Sequence, residues 1–275
     1  MASHAEAATK DKIKLLQDSL PCSCEKCKLA AENSELSEND EIFLNCNDDR
    51  CRRFLIGCKG DVGKAAHILT GSLIWRHKFQ ADDAIVDTPE ALQREELLQT
   101  ALPYCYQNHV DKHGNTIYIE STGLCDVEKM LKIGTEPFLK NHVRINEKCI
   151  DSKTGKRLVI LDLLGLNSSM LGSGGFALLK KMIDLDQRHY PESMYKMFII
   201  NSPWLLSTAF EVVKPWLDPM TLSKIQILGE DYKEILLKDI GIDQLPFYLG
   251  GKCVRTSNST IQIAHLLIQL LTILQ

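Results

Sequence analysis

The chain has 275 residues, 44% of them apolar, enough for one sizeable core and a small helical accessory domain. A formal net charge of −4 supplies no basic stripe, so nucleic acid is excluded as an expected partner. The charge is also uneven: residues 1–50 carry six Lys/Arg against eleven Asp/Glu and the remainder is +1, so anionic membranes would repel the first segment and any docking face is expected elsewhere.

The opening MASHAEAATKDK lacks the apolar h-region of a secretion signal, which points to a cytoplasmic protein. Residues 1–41 read as an acidic arm, helical or disordered, with a short helix predicted at 11–20 that Pro21 ends. The ten cysteines, without a secretory context to oxidise them, read as free thiols. Cys22, Cys24 and Cys27 form C-x-C-x2-C, followed by C-x4-C at Cys46 and Cys51; this is not the paired C-x2-C geometry of common zinc sites. The expectation is therefore scattered thiols in the arm, with no metal and no cofactor.

Residues 42–80 place Leu55, Val62, Ala65, Ala66, Leu69, Leu73 and Trp75 at helical spacing, which predicts a small N-terminal helical domain with Asp61 capping a helix that starts near Val62. Over 95–255 short β runs alternate with helices. Residues 117–119 follow the turn signal His113-Gly114-Asn115 and read as a strand, and 158–164 is an apolar run interrupted only by Asp162, as in a strand buried on both faces. A helix over 176–185, a strand over 197–200, a helix over 205–213, a strand over 225–228 and a helix over 232–240 follow. Alternating β and α elements imply a largely parallel sheet covered by helices, hence an α/β fold. The tail at 256–275 is apolar. Its segment 261–275 would make a helix of about 22 Å, shorter than the roughly 30 Å hydrocarbon core of a bilayer, so it is not expected to span one.

Catalytic motifs are missing. Gly57-Cys58-Lys59-Gly60-Asp61-Val62-Gly63-Lys64 fails the G-x4-G-K-[ST] spacing, Gly172-Ser173-Gly174-Gly175 is no full G-x-G-x-x-G, and neither G-x-S-x-G nor H-E-x-x-H occurs. Gly174 and Gly175 read as a flexible strand-to-helix corner. Asp162 reads as a hydrogen-bonding residue of the strand, and no enzyme is expected.

Residues 190–251 join a YPES turn, the apolar run at 197–200, an Asn-Ser-Pro-Trp corner, a Lys-Pro-Trp-Leu-Asp-Pro exit and a closing Gly-Gly. Together with RRFLIGCKGDVGKAAHILTGSLIWRH, GNTIYIESTGLCDVEKML and RLVILDLLGL upstream, this order of elements resembles the CRAL-TRIO lipid-binding family, and within it the phosphatidylinositol-transfer branch of the secretory pathway. The resemblance implies a helical N-terminal domain and a lobe with a largely parallel sheet floor, an apolar lipid pocket and a helical gate. Two acyl chains expose on the order of thirty CH2 and CH3 groups, worth on the order of 25 kcal/mol in water, so a carrier must enclose both.

By the same resemblance the gate is the helix over 205–216, with Pro215 and Pro219 delimiting a hinge. Leu206, Phe210, Val213 and Trp216, with Ile160 and Ile200 from the strands, are expected to line gate and pocket. Lys59, Glu192, Thr221 and Lys224 are implied as head-group ligands, because a phosphoinositide needs cations for its phosphate and polar partners for its ring hydroxyls. Cys58 stands where the family often has an arginine. Arg157 and Val159 occupy positions where members of dual specificity carry small hydroxyl residues, so a choline site is not supported. The implied partners are a phospholipid, phosphatidylinositol foremost, and a transient membrane surface. A protein partner reached through the acidic arm, in a lipid-sensing scaffold, and another apolar ligand such as a sterol or a retinoid- or tocopherol-like molecule remain as alternatives.

Overall fold

The structure is a computed structural model that describes residues 4–22, 24–36, 42, 46–150, 154–166, 168–204 and 206–253. The chain divides into two compact units, one containing residues up to Ile85 together with Asp184–Ser193, the other containing Val86–Ile183 and the residues from Met194 onward. The apolar tail expected at 261–275 lies outside the described residues.

The first unit is helical: α1 (His4–Ala7), α2 (Lys10–Asp18), α3 (Glu25–Glu32), α4 (Asp48–Gly57) and α5 (Val62–Phe79). Three of these helices start on side-chain caps. Thr9 accepts from the Lys12 amide, Asn47 from that of Arg50, and Asp61 from that of Lys64, the last as its position before Val62 predicts. Ile13 and Leu16 of α2 bury themselves among Phe54 and Leu55 of α4 and Leu69 and Leu73 of α5. The described helix α2 of the arm therefore shares one core with α4 and α5. The cysteines of the arm are also not scattered: Cys22, Cys24 and Cys27 converge on His67 of α5.

The second unit contains α6 (Pro89–Gln99), β1 (Tyr104–Val110), β2 (Thr116–Glu120), α7 (Val127–Ile133), α8 (Thr135–Ile150), β3 (Arg157–Asp162), β4 (Met194–Ile200), α10 (Leu206–Val213), α11 (Pro219–Ser223), β5 (Ile225–Ile227) and α12 (Lys233–Asp239); α9 (Ser173–His189) begins here and ends in the first unit. The sheet runs in the order β1-β2-β3-β4-β5, with β1 antiparallel to β2 and the other pairs parallel. A tight turn joins β1 to β2: Asp111 Oδ1 accepts from the amides of His113 and Asn115, while Gly114 takes φ +86°.

Alternation sorts the strand residues onto two faces. One face presents Ile117, Ile119, Leu158, Ile160, Phe198 and Ile200 to Tyr232, Leu236 and Ile240 of the α12 segment and to Leu245, Tyr248 and Leu249 beyond it. The other places Tyr104, Tyr118 and Val159 against Ile145 and Cys149 of α8. Phe138 of α8, Leu98 of α6, Met130 of α7 and Leu178 of α9 form an adjoining cluster.

The paired glycines at the start of α9 correct their reading as a flexible corner. A Cβ at Gly174 would come within 2.6 Å of Leu131 Cδ1, and one at Gly175 within 2.8 Å of the Met170 carbonyl oxygen. Gly175 needs a small residue because its neighbour is backbone, whereas at Gly174 the neighbour is the movable end of Leu131 on α7.

Candidate lipid-binding site

The segment expected to form the gate begins at an Asn-Ser-Pro-Trp corner that β3 anchors. Asp162, buried at the end of β3, accepts at Oδ1 from Asn201 Nδ2 (2.7 Å) and from the Leu164 amide (3.0 Å). Asn201 is thereby held at φ +52°, a left-handed conformation that asparagine tolerates better than most residues. The described part of the predicted helix is α10 followed by a 3-10 turn at Lys214–Trp216; Leu205 lies outside the described residues.

Leu206, Phe210, Val213 and Trp216 are half-buried, and Ala209 is the buried residue of α10. Trp216 meets Phe176 of α9 edge-on, and Lys180 Nζ lies 5.5 Å over the Trp216 ring. Pro219 opens α11 behind its cap Asp218, so the two prolines bracket the segment at a 3-10 turn and at a helix start. Trp204 at the corner is 85% exposed, an uncommon position for so large an apolar surface.

Ile160 and Ile200, expected at the pocket, are both fully buried in the cluster packed under α12. A cleft opens instead on the opposite face, over β1 and β2 and beneath α6, α7, α8 and α9. Its free volume is about 20 Å³, with Tyr104, Tyr118, Phe138, Met130 and Met182 on its walls. Its polar members are Glu120, Asn141 and His142. Tyr118 donates to Glu120 at 2.8 Å, and Asn141 Nδ2 donates to the Tyr104 hydroxyl at 2.8 Å. Burial first, and the Glu120 or Glu95 carboxylate second, push both phenols above their ordinary range, so each keeps its proton. Asn141 Oδ1 is buried without a hydrogen-bond partner.

The four expected head-group residues divide between the units. Lys59 and Glu192 lie in the first, where Gly57 abuts Pro191, so the turn carrying Lys59 and the YPES turn are neighbours. Among the described residues, five other than glycine take positive φ, and Lys59 (+56°) and Glu192 (+58°) are two of them. The Lys59 amide donates to the Ile56 carbonyl and that of Gly60 to Leu55, closing α4 in a left-handed cap. The glycine-rich stretch after α4 thus has a backbone explanation.

Thr221 and Lys224 sit together in the second unit, on α11 and at its C-terminal cap. The Lys224 carbonyl accepts from the Met197 amide at 2.9 Å, which ties this turn to the middle of β4. Asp218, which sequence reasoning did not assign to the site, organises it. Its Oδ2 accepts from Thr221 Oγ1 at 2.6 Å and its Oδ1 from the amides of Met220 and Thr221. Burial pushes the Asp218 carboxyl up, but these hydrogen bonds and the charge of Lys224 outweigh it and hold the group below the ordinary aspartate value. With its proton committed to Asp218, the Thr221 hydroxyl can only accept from a ligand. The signal for Asp218 was its Asp-Pro pair, which reads as a helix start and conceals any further role.

None of the described helices is long and apolar enough to cross a membrane. The family model for the CRAL/TRIO domain matches residues 103–251. A CRAL-TRIO domain-containing protein of Saccharomyces cerevisiae is 35% identical over 223 residues, 76% of this chain and 72% of the relative. The SEC14 cytosolic factor of Kluyveromyces lactis is 33% identical over 233 residues, 80% of this chain and 76% of the relative. A phosphatidylinositol/phosphatidylcholine transfer protein of Arabidopsis thaliana is 36% identical over 213 residues, 73% of this chain but only 34% of that longer protein. The crystal structure of Sfh5 shares the fold, with a TM-score of 0.61 at 19% identity over 85% of this chain and 84% of that one. With a domain match running from just before β1 to the closing Gly-Gly, and relatives a third identical over three-quarters of its length, the chain belongs to the CRAL-TRIO family.

Proposed function

We propose that the protein carries phosphatidylinositol between membranes, enclosing the acyl chains behind α10 and performing no covalent chemistry. The observation that carries this reading is the polar turn of Asp218, Thr221 and Lys224 next to the gate, in a chain whose relatives include named phosphatidylinositol/phosphatidylcholine transfer proteins. Within the second unit, Lys224 supplies a cation for the phosphate and Thr221 accepts from a ring hydroxyl. Arg157 and Val159 offer no hydroxyl for choline, which favours the inositol lipid. The cleft beneath α8 alone is too small for two acyl chains, so loading requires the gate segment to swing outward at a membrane. The exposed Trp204 is suited to meet that membrane in the cytoplasm. Transfer of labelled phosphatidylinositol between vesicles tests the reading; a purified chain that moves neither this lipid nor any other phospholipid refutes it.

A second reading has one observation behind it. The unpartnered Asn141 Oδ1 on an otherwise largely apolar cleft wall would accept from the single hydroxyl of an apolar ligand such as a sterol, for which the cleft, with about 20 Å³ of free volume, must widen. Native mass spectrometry of the purified chain, with extraction of what it carries, separates a phospholipid cargo from this one.

A further inference from the structure

Cys22 and Cys24 precede α3, Cys27 lies in its first turn, and His67 projects from the middle of α5. Their ligand atoms all lie within 4.8 Å of one another. His67 Nδ1 is 3.3 Å from Cys24 Sγ and 3.2 Å from Cys27 Sγ. We propose that Cys22, Cys24, Cys27 and His67 form a tetrahedral zinc site that clamps the N-terminal arm to α5.

The dimensions suit one ion. At Zn–S of about 2.3 Å and Zn–N of about 2.0 Å, tetrahedral angles put two sulfurs about 3.8 Å apart and a sulfur and a nitrogen about 3.5 Å apart. The sulfur–nitrogen distances here are within a few tenths of that value, and the whole set, within 4.8 Å, would contract by about 1 Å at most to close around one ion. Three thiolates and an imidazole are also the donors that select zinc over hard cations such as magnesium or calcium.

The scaffold holds the donors from both sides. Thr70, one turn beyond His67 on α5 and fully buried, accepts the Cys22 amide at 2.8 Å, so the loop bearing Cys22 is tied to the helix bearing the histidine. The Cys24 carbonyl accepts from the amides of Cys27 and Lys28, which sets the turn that aims Cys24 and Cys27 the same way. On α3 itself only the small side chains of Ala30 and Ala31 pack against the core of the first unit, so a four-ligand ion would supply much of the energy that fixes α3 in place. The spacing concealed this because the fourth ligand comes from another helix, forty residues after Cys27 in the chain.

The test uses the full chain, purified under reducing conditions with any tag removed. Elemental mass spectrometry should find about one zinc per chain. After stripping by a chelator, Co²⁺ should restore the intense visible bands of a tetrahedral cobalt–thiolate centre, saturate at about one equivalent and be displaced by zinc. Cys24→Ser changes the solvent-facing ligand without disturbing the core and should weaken Co²⁺ binding more than about a hundredfold, with His67→Ala doing the same. Cys58→Ser, a buried thiol outside the cluster, should leave binding unchanged. A reduced native chain with neither zinc nor cobalt bands would overturn the proposal. So would full zinc retention in both ligand variants, or a disulfide among Cys22, Cys24 and Cys27 in the chain as isolated from cells.

Discussion

The ring of Trp216 meets that of Phe176 edge-on at a centroid separation of 6.1 Å, so the end of the segment that follows α10 rests on α9 through an aromatic pair. Lys180, one turn along α9, adds its ammonium over the same indole. Such contacts are worth about 1–2 kcal/mol together, small enough to open and large enough to bias closure. Trp216→Ala should therefore release bound fluorescent lipid to acceptor vesicles roughly ten times faster, with no loss of folded protein. An unchanged release rate would mean that this contact is no latch.

The head-group reading predicts a separation of stability from transfer. Lys59 holds a left-handed backbone in which glycine is relaxed, so Lys59→Gly should keep or raise stability, by up to about 1 kcal/mol, while reducing phosphatidylinositol transfer. Lys224→Glu should abolish transfer outright, since a phosphate would then face two carboxylates, the new one and Asp218. Urea unfolding and the vesicle assay on the same preparations check both; normal transfer by Lys224→Glu would remove that residue from the site.

A pH dependence is built into the first unit. His189 stacks on Trp75 at 3.8 Å with rings nearly parallel, and its Nδ1 lies 3.2 Å from Ser72 Oγ. Burial foremost, then the charges of Arg188 and Arg76, lower its pKa from 6.5 to about 4. The folded state thus binds the proton less readily than the unfolded chain. Its contribution is fully present above pH 6.5 and is lost as pH falls through about 4. Unfolding free energy should drop between pH 7 and pH 4.5, and His189→Phe should flatten that part of the profile. Equal slopes in variant and wild type would assign the effect to other groups.

Arg144 predicts the largest loss of stability. Its side chain is fully buried, with Nε donating to Glu95 at 2.9 Å, Nη1 to the Val86 carbonyl at 2.9 Å, and Nη2 to Asp87. Arg144→Ala should cost about 3–5 kcal/mol, because it leaves a largely buried carboxylate without its cation. Chemical denaturation measures this, and a cost below about 1 kcal/mol would show that Glu95 finds water or another partner.

Local patterns were enough for the elements that bury uniform surfaces. The cap Asp61, the apolar runs that became β3 and β4 and the prolines that follow α10 each act within a few residues, so their signals are contiguous in the chain. The signal was absent where burial is polar: α8 interrupts its apolar stripe with buried Asn141, Arg144 and Asn146, and its periodicity is unreadable until their partners are known. Tertiary structure alone decided which face of the sheet each strand residue serves, sending Ile160 and Ile200 under α12 and Tyr118 into the cleft, because alternation gives two faces without saying what covers either. It also decided the cysteines. Three thiols in the arm have no evident chemistry in the sequence, and only the packing of α2 and α3 on α5 brings His67 within reach of them, since a ligand set closed by a distant residue depends on how helices pack.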